Sequence, residues 1–209
     1  IRKMAYKDGK FGKLLALGSR KAARKVGKGA EYYSQTTKGQ QQGLVEPRAE
    51  HAWALGFGTS TRGGDHLRAQ PAVEFMWTPE QARKYIGTEA VVDRYGFEGK
   101  GLLVYWCENI RAVQDSMEIC KYWLRGQPEL WTTWLPEVIN AVTGTKYNFK
   151  DVFMIGERIV AIERAFNALA GLSRKDDYLP ERVYKEPQPN GPSKGAIIPR
   201  EKWDYMLEE

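Results

Sequence analysis

The feature that most constrains this chain is the run between Asn148 and Gly171. Within it Val152, Ile155, Ile159, Ile162, Phe166 and Leu169 recur three or four residues apart. That is the period of one face of an α-helix and not of a strand. Asn148 is a good N-cap, Asp151 three residues on favours the positive end of the helix dipole, and Gly171 is a stop signal. A helix of this length commits the chain to an architecture in which other elements pack along it.

Most of what remains also reads as helix. Thr78 and Pro79 open a helix expected to reach about Ile86, before Gly87. Ile110, Val113, Met117, Cys120 and Leu124 make a heptad-like stripe that predicts one continuous helix. Trp131–Val142, interrupted or begun at Pro136, closes at Gly144, and Pro199–Leu207 carries Trp203, Met206 and Leu207. Near the N-terminus Phe11, Leu14, Leu15, Ala22 and Val26 predict a basic helix stopped by Gly27 and Gly29. A short helix around Ala30–Ser34 follows, then an extended polar loop over Thr36–Gln42 and Glu46–Arg48. Residues 49–57 read as a helical turn, and Arg174–Tyr184 is a charged stretch leading to a Pro-rich loop at 187–192. Only Leu102–Trp106 is ambiguous between a strand and a buried helix. With few strand signals and no internal repeat, the expected fold is all-α and multi-helical. It would form one domain or two intimately packed subdomains meeting near residues 50–80.

Composition sets the bounds. In 209 residues, 42% hydrophobic content with seven Trp, eleven Tyr and seven Phe is enough to bury a core, which excludes general disorder. No apolar run could span a bilayer and no signal-peptide pattern opens the chain, so a membrane protein is excluded, a secreted one disfavoured and a cytoplasmic one expected. Residues 1–48 hold twelve Lys/Arg against three Asp/Glu, so the whole net charge of +6 arises there. Such asymmetry fits either a nucleic-acid-facing segment or a solvated basic helix face. The second ranks higher, because Tyr32 and Tyr33 are the only aromatic pair there that could stack bases. Cys107, Cys120, His51 and His66 are the only cysteines and histidines. A thiolate metal site needs about four ligands, so the chain carries either none or part of a site completed elsewhere. It begins with Ile1 rather than Met and reads as a piece of something longer.

Two segments suggest chemistry. Gly58–Arg68 crowds small residues beside Arg62, Asp65, His66 and Arg68, and backbone approaches a ligand closely where side chains are small. A lone histidine is most often structural, but these neighbours favour a cleft. Cys120 lies in an apolar stripe, where a cysteine is usually core, yet Asp115 five residues earlier would be awkward on a purely structural face.

Gly156-Glu157-Arg158, Glu163-Arg164-Ala165-Phe166-Asn167, Gly171, Arg174-Lys175-Asp176-Asp177 and Leu179-Pro180-Glu181-Arg182 form an extended series of motifs. Through them the sequence resembles the C-terminal part of the tungsten-containing aldehyde:ferredoxin oxidoreductase family. Ala54–Arg68, Gly27–Glu31 and Pro47-Arg48 add to it. Asp115-Ser116-Met117-Glu118-Ile119-Cys120 is placed like the family's Asp-x-x-Gly-Leu-Cys motif, with Glu118 in place of Gly.

The resemblance implies that Cys120 is the fourth thiolate of a 4Fe–4S cluster whose other ligands lie upstream of this chain. It implies that Asp115 and Ile119 belong to the pterin site, Asp115 accepting hydrogen bonds from the pterin, and that Arg68 meets its phosphate. His66 falls at the place of the catalytic histidine, where an imidazole suits proton transfer at a carbonyl or water. Cys107 matches no such role. Glu163, Arg164, Asp176, Asp177 and Arg182 are expected to fix helix and loop packing through ion pairs.

On this reading the whole protein uses a tungsten (or molybdenum) bis-pterin centre to oxidise an aldehyde to a carboxylic acid, passing electrons through the cluster to ferredoxin. The N-terminal pterin domain would be the partner this chain lacks, and the chain alone would be inactive. A homodimer is compatible with the family. A benzoyl-coenzyme A reductase-type tungsten subunit is the alternative within it. A basic helical nucleic-acid module, predicting steeply salt-dependent binding, is the disfavoured alternative outside it.

Overall fold

The helix Lys100–Ser116 is buried on nearly every side. Leu103, Val104, Trp106, Cys107, Ile110 and Val113 are covered, and so are Arg111 and Gln114. A helix covered on nearly every side belongs at the centre of a domain, and the ambiguous Leu102–Trp106 lies inside it. The computed structural model describes all 209 residues.

The chain opens with three short helices, α1 (Arg2–Ala5), α2 (Gly9–Leu15) and α3 (Ser19–Val26). A two-residue hairpin follows, β1 (Thr36–Thr37) antiparallel to β2 (Gln40–Gln41), with Thr36 opposite Gln41. Next come α4 (His51–Thr59), α5 (His66–Ala69), α6 (Val73–Met76) and α7 (Pro79–Tyr85). The central helix is α8, followed by α9 (Leu135–Thr143), α10 (Phe149–Leu169), α11 (Glu181–Lys185) and α12 (Arg200–Glu208). The all-α, multi-helical expectation holds, since the hairpin is the only sheet.

One cluster of 25 buried hydrophobic residues runs from Ala52 to Met206, with α4, α5, α10 and α12 packed on α8. At the α8–α10 crossing, Gly156 lies so close to the Asn109 backbone that a Cβ there would be 2.2 Å from the Asn109 carbonyl oxygen. Trp131 fills the space beside α8, its ring centroid 4.7 Å from Trp106 and 5.5 Å from Trp77. The Glu209 carboxylate accepts from the Gly99 and Gly101 amides at 2.7 and 2.9 Å, so the end of α12 caps the start of α8.

Several expectations need correction. The basic N-terminal helix is two helices, broken at Gly18 (φ +76°), and its stripe faces solvent, with Phe11 64% exposed. The polar segment 36–42 is not a plain loop but holds the hairpin. The 131–142 helix begins as a π-helical turn, Leu130–Trp134, and Pro136 sits where that turn passes into α9. Asn148 and Asp151 do form a reciprocal capping box for α10. Its apolar stripe, however, is buried only in part: Ile162, Phe166 and Leu169 are exposed. The stripe from Ile110 to Leu124 is not one helix either, because α8 stops at Ser116.

Candidate functional site

The stop at Ser116 creates the site. Beyond it the Glu118 amide donates to the Asp115 carbonyl (3.1 Å) and the Ile119 amide to the Gln114 carbonyl (3.2 Å). This crossed pair is the Schellman closure of a helix, which requires a left-handed residue at the position after the cap. Glu118 supplies it with φ +56°. The tight turn is therefore kept although the residue is not glycine, and it lifts Cys120 out of the stripe into solvent. The helical stripe in which the sequence placed Cys120 therefore ends before it, and the alternative of a buried core cysteine does not hold.

Asp115, on the last turn of α8, is the hub. Its Oδ2 accepts from Arg62 Nη2 at 2.6 Å and from Arg68 Nη1 at 3.3 Å, and its Oδ1 accepts from Lys121 Nζ. Burial alone would raise this carboxyl, but Lys121 and then Arg62 hold it below the usual aspartate value. Burial lowers the Lys121 ammonium, partly offset by Asp115.

Arg68 is delivered by α5, whose start is capped by Asp65 accepting from the Leu67 amide at 2.8 Å. Its side chain is buried. Nη2 donates to Glu163 Oε2 on α10 at 2.5 Å, while Nε has no partner. The same Glu163 oxygen accepts from Thr61 Oγ1 at 2.5 Å, and Asn167 Nδ2 donates to the Thr61 carbonyl at 2.8 Å. Residues four apart on α10 thus clamp the loop that carries Arg62 and leads into α5 with Arg68.

His66 and Cys120 stand at the edge of this network. The His66 ring stacks on Trp53, with centroids 6.4 Å apart, and Gly43 lies against it, where a Cβ would be 2.6 Å from Nδ1. The Cys120 carbonyl accepts from Gln114 Nε2 at 2.9 Å, and Gln114 Oε1 accepts from Arg111 Nη1 at 2.7 Å, which fixes the backbone beneath the thiol. Ile119 is half-buried between Asp115 and Cys120.

Of the residues singled out from sequence, Arg68 and Asp115 touch directly, and Ile119 and Cys120 follow on the same turn. His66 shares α5 with Arg68 but stays outside the ion-pair network. Arg62, Lys121 and Glu163 complete that network and were not put forward as site residues. Glu163 could have been found from its spacing to Asn167, whereas nothing local marks Lys121.

The other candidates are structural. Cys107 is fully buried, which pushes its thiol up to about 12. His51 is buried on Phe97, centroids 4.3 Å apart, with Nδ1 3.1 Å from the Gly96 carbonyl, and burial lowers its pKa. Asp177 is buried and pairs with Lys38 at 2.7 Å and Arg164 at 3.5 Å, the ion-pair packing expected, whereas Asp176 makes no ion pair and accepts from the Ser173 amide in a capping box, and Arg182 pairs locally with Glu186 four residues on. One or two turns back along α8 lies an open cavity of about 650 Å³, lined by Thr59, Glu108, Asn109 and Arg164. Glu108 accepts from Thr59 there at 3.2 Å, and burial raises its pKa against the pull of Arg164 and Arg68.

Residues 1–209 match the family profile described as aldehyde ferredoxin oxidoreductase, domains 2 and 3. The chain is 33% identical over 200 residues to the tungsten-containing aldehyde ferredoxin oxidoreductase of Pyrococcus horikoshii. It is 32% identical over 200 residues to the protein so described from Pyrococcus abyssi, and 32% to that from Pyrococcus furiosus. These alignments cover 95% of this chain but only 30%, 30% and 31% of the respective relatives. The chain spans about a third of the length of the curated relatives it matches.

Proposed function

Because the chain belongs to the aldehyde ferredoxin oxidoreductase family, we propose that it is the helical part of a tungsten–pterin enzyme that oxidises aldehydes to carboxylic acids and passes the electrons to ferredoxin. The observation that carries this reading is the end of α8, where the Asp115 hub and the exposed Cys120 lie five residues apart and the buried Arg68 of α5 reaches Asp115.

The residues fit part of such a cofactor set. Asp115 has four lone-pair positions and accepts three hydrogen bonds, which leaves capacity for a further N–H donor. The unpartnered Nε of buried Arg68 suits an anionic oxygen. Cys120 offers one exposed thiol, fit to be one ligand of a cluster whose remaining ligands this chain does not carry.

When bound, the pterin-held metal supplies the two-electron oxidation and the cluster supplies single-electron transfer. This chain's residues would do the rest. Asp115 and Ile119 hold the pterin edge, Arg68 its phosphate, and Cys120 the cluster. His66 takes or delivers the proton at the substrate carbonyl or at the water that adds to it. Arg62, Lys121 and Glu163 hold Asp115 and Arg68 in place.

The test uses the full-length protein. Aldehyde-dependent reduction of ferredoxin is expected, with tungsten bound. His66→Gln should lower kcat by about 10²–10⁴-fold with tungsten content unchanged. Turnover of an aromatic acyl thioester instead of an aldehyde would replace this reading with the reductase alternative.

A further inference from the structure

Beneath the Cys120 turn lies a charge that the site described above does not use. Arg111 on α8 is fully buried. Its Nη1 donates to Gln114 Oε1 at 2.7 Å and to the Lys121 carbonyl at 3.5 Å, both neutral, and its Nε and Nη2 have no partner. The guanidinium carbon stands 4.9 Å from the centroid of the Trp131 ring, whose Nε1 donates to the Leu124 carbonyl of the same turn. An isolated buried cation is expensive, and a neutral aliphatic side chain of similar length would fill the same space.

The neighbouring charges do not neutralise it. Cys107 is a buried thiol and not a thiolate at neutral pH. Glu108, the next residue on α8, points instead to Thr59. Asp115 is already answered by Arg62, Arg68 and Lys121. Arg125, across the turn, is a second cation and lies over the Tyr122 and Phe75 rings. Burial lowers the Arg111 guanidinium only to about 10, so it stays charged at neutral pH.

We propose that Arg111 is a positioning and potential-setting residue: it pins the Cys120–Lys121 backbone and its unpaired positive charge favours the reduced state of the iron–sulfur cluster bound through Cys120. This rests on the cluster reading given above. A 4Fe–4S cluster with thiolate ligands is anionic and gains one further negative charge on reduction. A fixed cation in a low-dielectric setting therefore stabilises the reduced form more than the oxidised form. The step is a one-electron reduction of the cluster, with the electron drawn in the cell from the aldehyde and in the test from dithionite, and no bond forms or breaks.

The experiment is a dithionite redox titration of the full-length holoenzyme, read by the EPR signal of the reduced cluster, with iron content measured on each variant. Arg111→Met should shift the midpoint to more negative potential. The reduced-to-oxidised ratio at fixed potential should fall about tenfold, which is about 59 mV for a one-electron couple. Arg111→Lys keeps the charge and should restore most of the wild-type midpoint. Gln114→Met breaks the pin without changing charge and should move the midpoint far less than Arg111→Met. An unchanged midpoint in Arg111→Met with full iron content, or an equal shift in Arg111→Lys, overturns the role of Arg111 alone. A wild-type enzyme without the cluster signal, or Cys120→Ser with an unaltered cluster, overturns the cluster reading and this proposal together.

Discussion

Glu118 shows how one residue's backbone angle can matter more than its side chain. It holds φ +56°, a conformation that costs a non-glycine residue about 1–2 kcal/mol, because the closure of α8 requires it. Glu118→Gly should therefore stabilise the chain, by about 0.5–1 kcal/mol after allowing for the greater freedom of glycine when unfolded. A higher denaturant midpoint at unchanged m-value would show this, and a lower midpoint would mean that the carboxylate itself contributes. The aspartate, isoleucine and cysteine of this turn were legible in the sequence because the motif places them together. Arg62 was not, since its role depends on a meeting of the 61–68 segment with α8 across 53 residues of chain, and Lys121 reaches Asp115, six residues away, only because the chain reverses after Ser116. No local pattern encodes that separation.

At the scale of elements, the long-helix signal was correct in extent but incomplete in meaning. Periodicity identifies a face of α10, yet it cannot say how much of that face another element covers. Val152 is buried, while Ile162, Phe166 and Leu169 are open. What fixes α10 is Gly156, which brings its backbone against Asn109 of α8. Gly156→Ala should cost about 3 kcal/mol, because the obstructing atom is backbone and cannot rotate away. The loss would be read from the thermal or denaturant midpoint. A cost below about 0.5 kcal/mol would mean that the two helices separate easily there. The same substitution should loosen the Glu163–Arg68 contact, since Glu163 rides two turns further along α10.

Across the whole molecule, the Glu74–Lys100 pair ties α6 to the start of α8. Both side chains are completely covered and 2.9 Å apart, and Lys100 also donates to the Asp93 carbonyl at 2.6 Å. Burial raises Glu74 to about 7, against the opposing pull of Lys100. A folded-state pKa above the unfolded value means that the native state holds this proton more tightly. The stability this group contributes is full below about pH 4.5 and is lost as pH rises through about 7. Comparing unfolding midpoints of wild type and Glu74→Gln between pH 4.5 and 7.5 should show the wild type losing ground to the variant as pH rises. Parallel profiles would mean that Glu74 is ionised throughout. No helix of this molecule is long and apolar enough to cross a membrane.

The sequence by itself determined that the chain is helical, where the helices at Pro79, Phe149 and Arg200 begin, and which short motif bears the candidate site. These depend on spacing, caps and turn residues, interactions that reach only a few positions along the chain. The tertiary structure alone decided that α8 ends at Ser116, that Cys120 is exposed, and that Asp115 gathers cations from two segments. It also decided that Arg111 is buried without a carboxylate. Those outcomes turn on which surfaces exclude water and which charges meet through space, and both follow from packing between residues far apart in the chain.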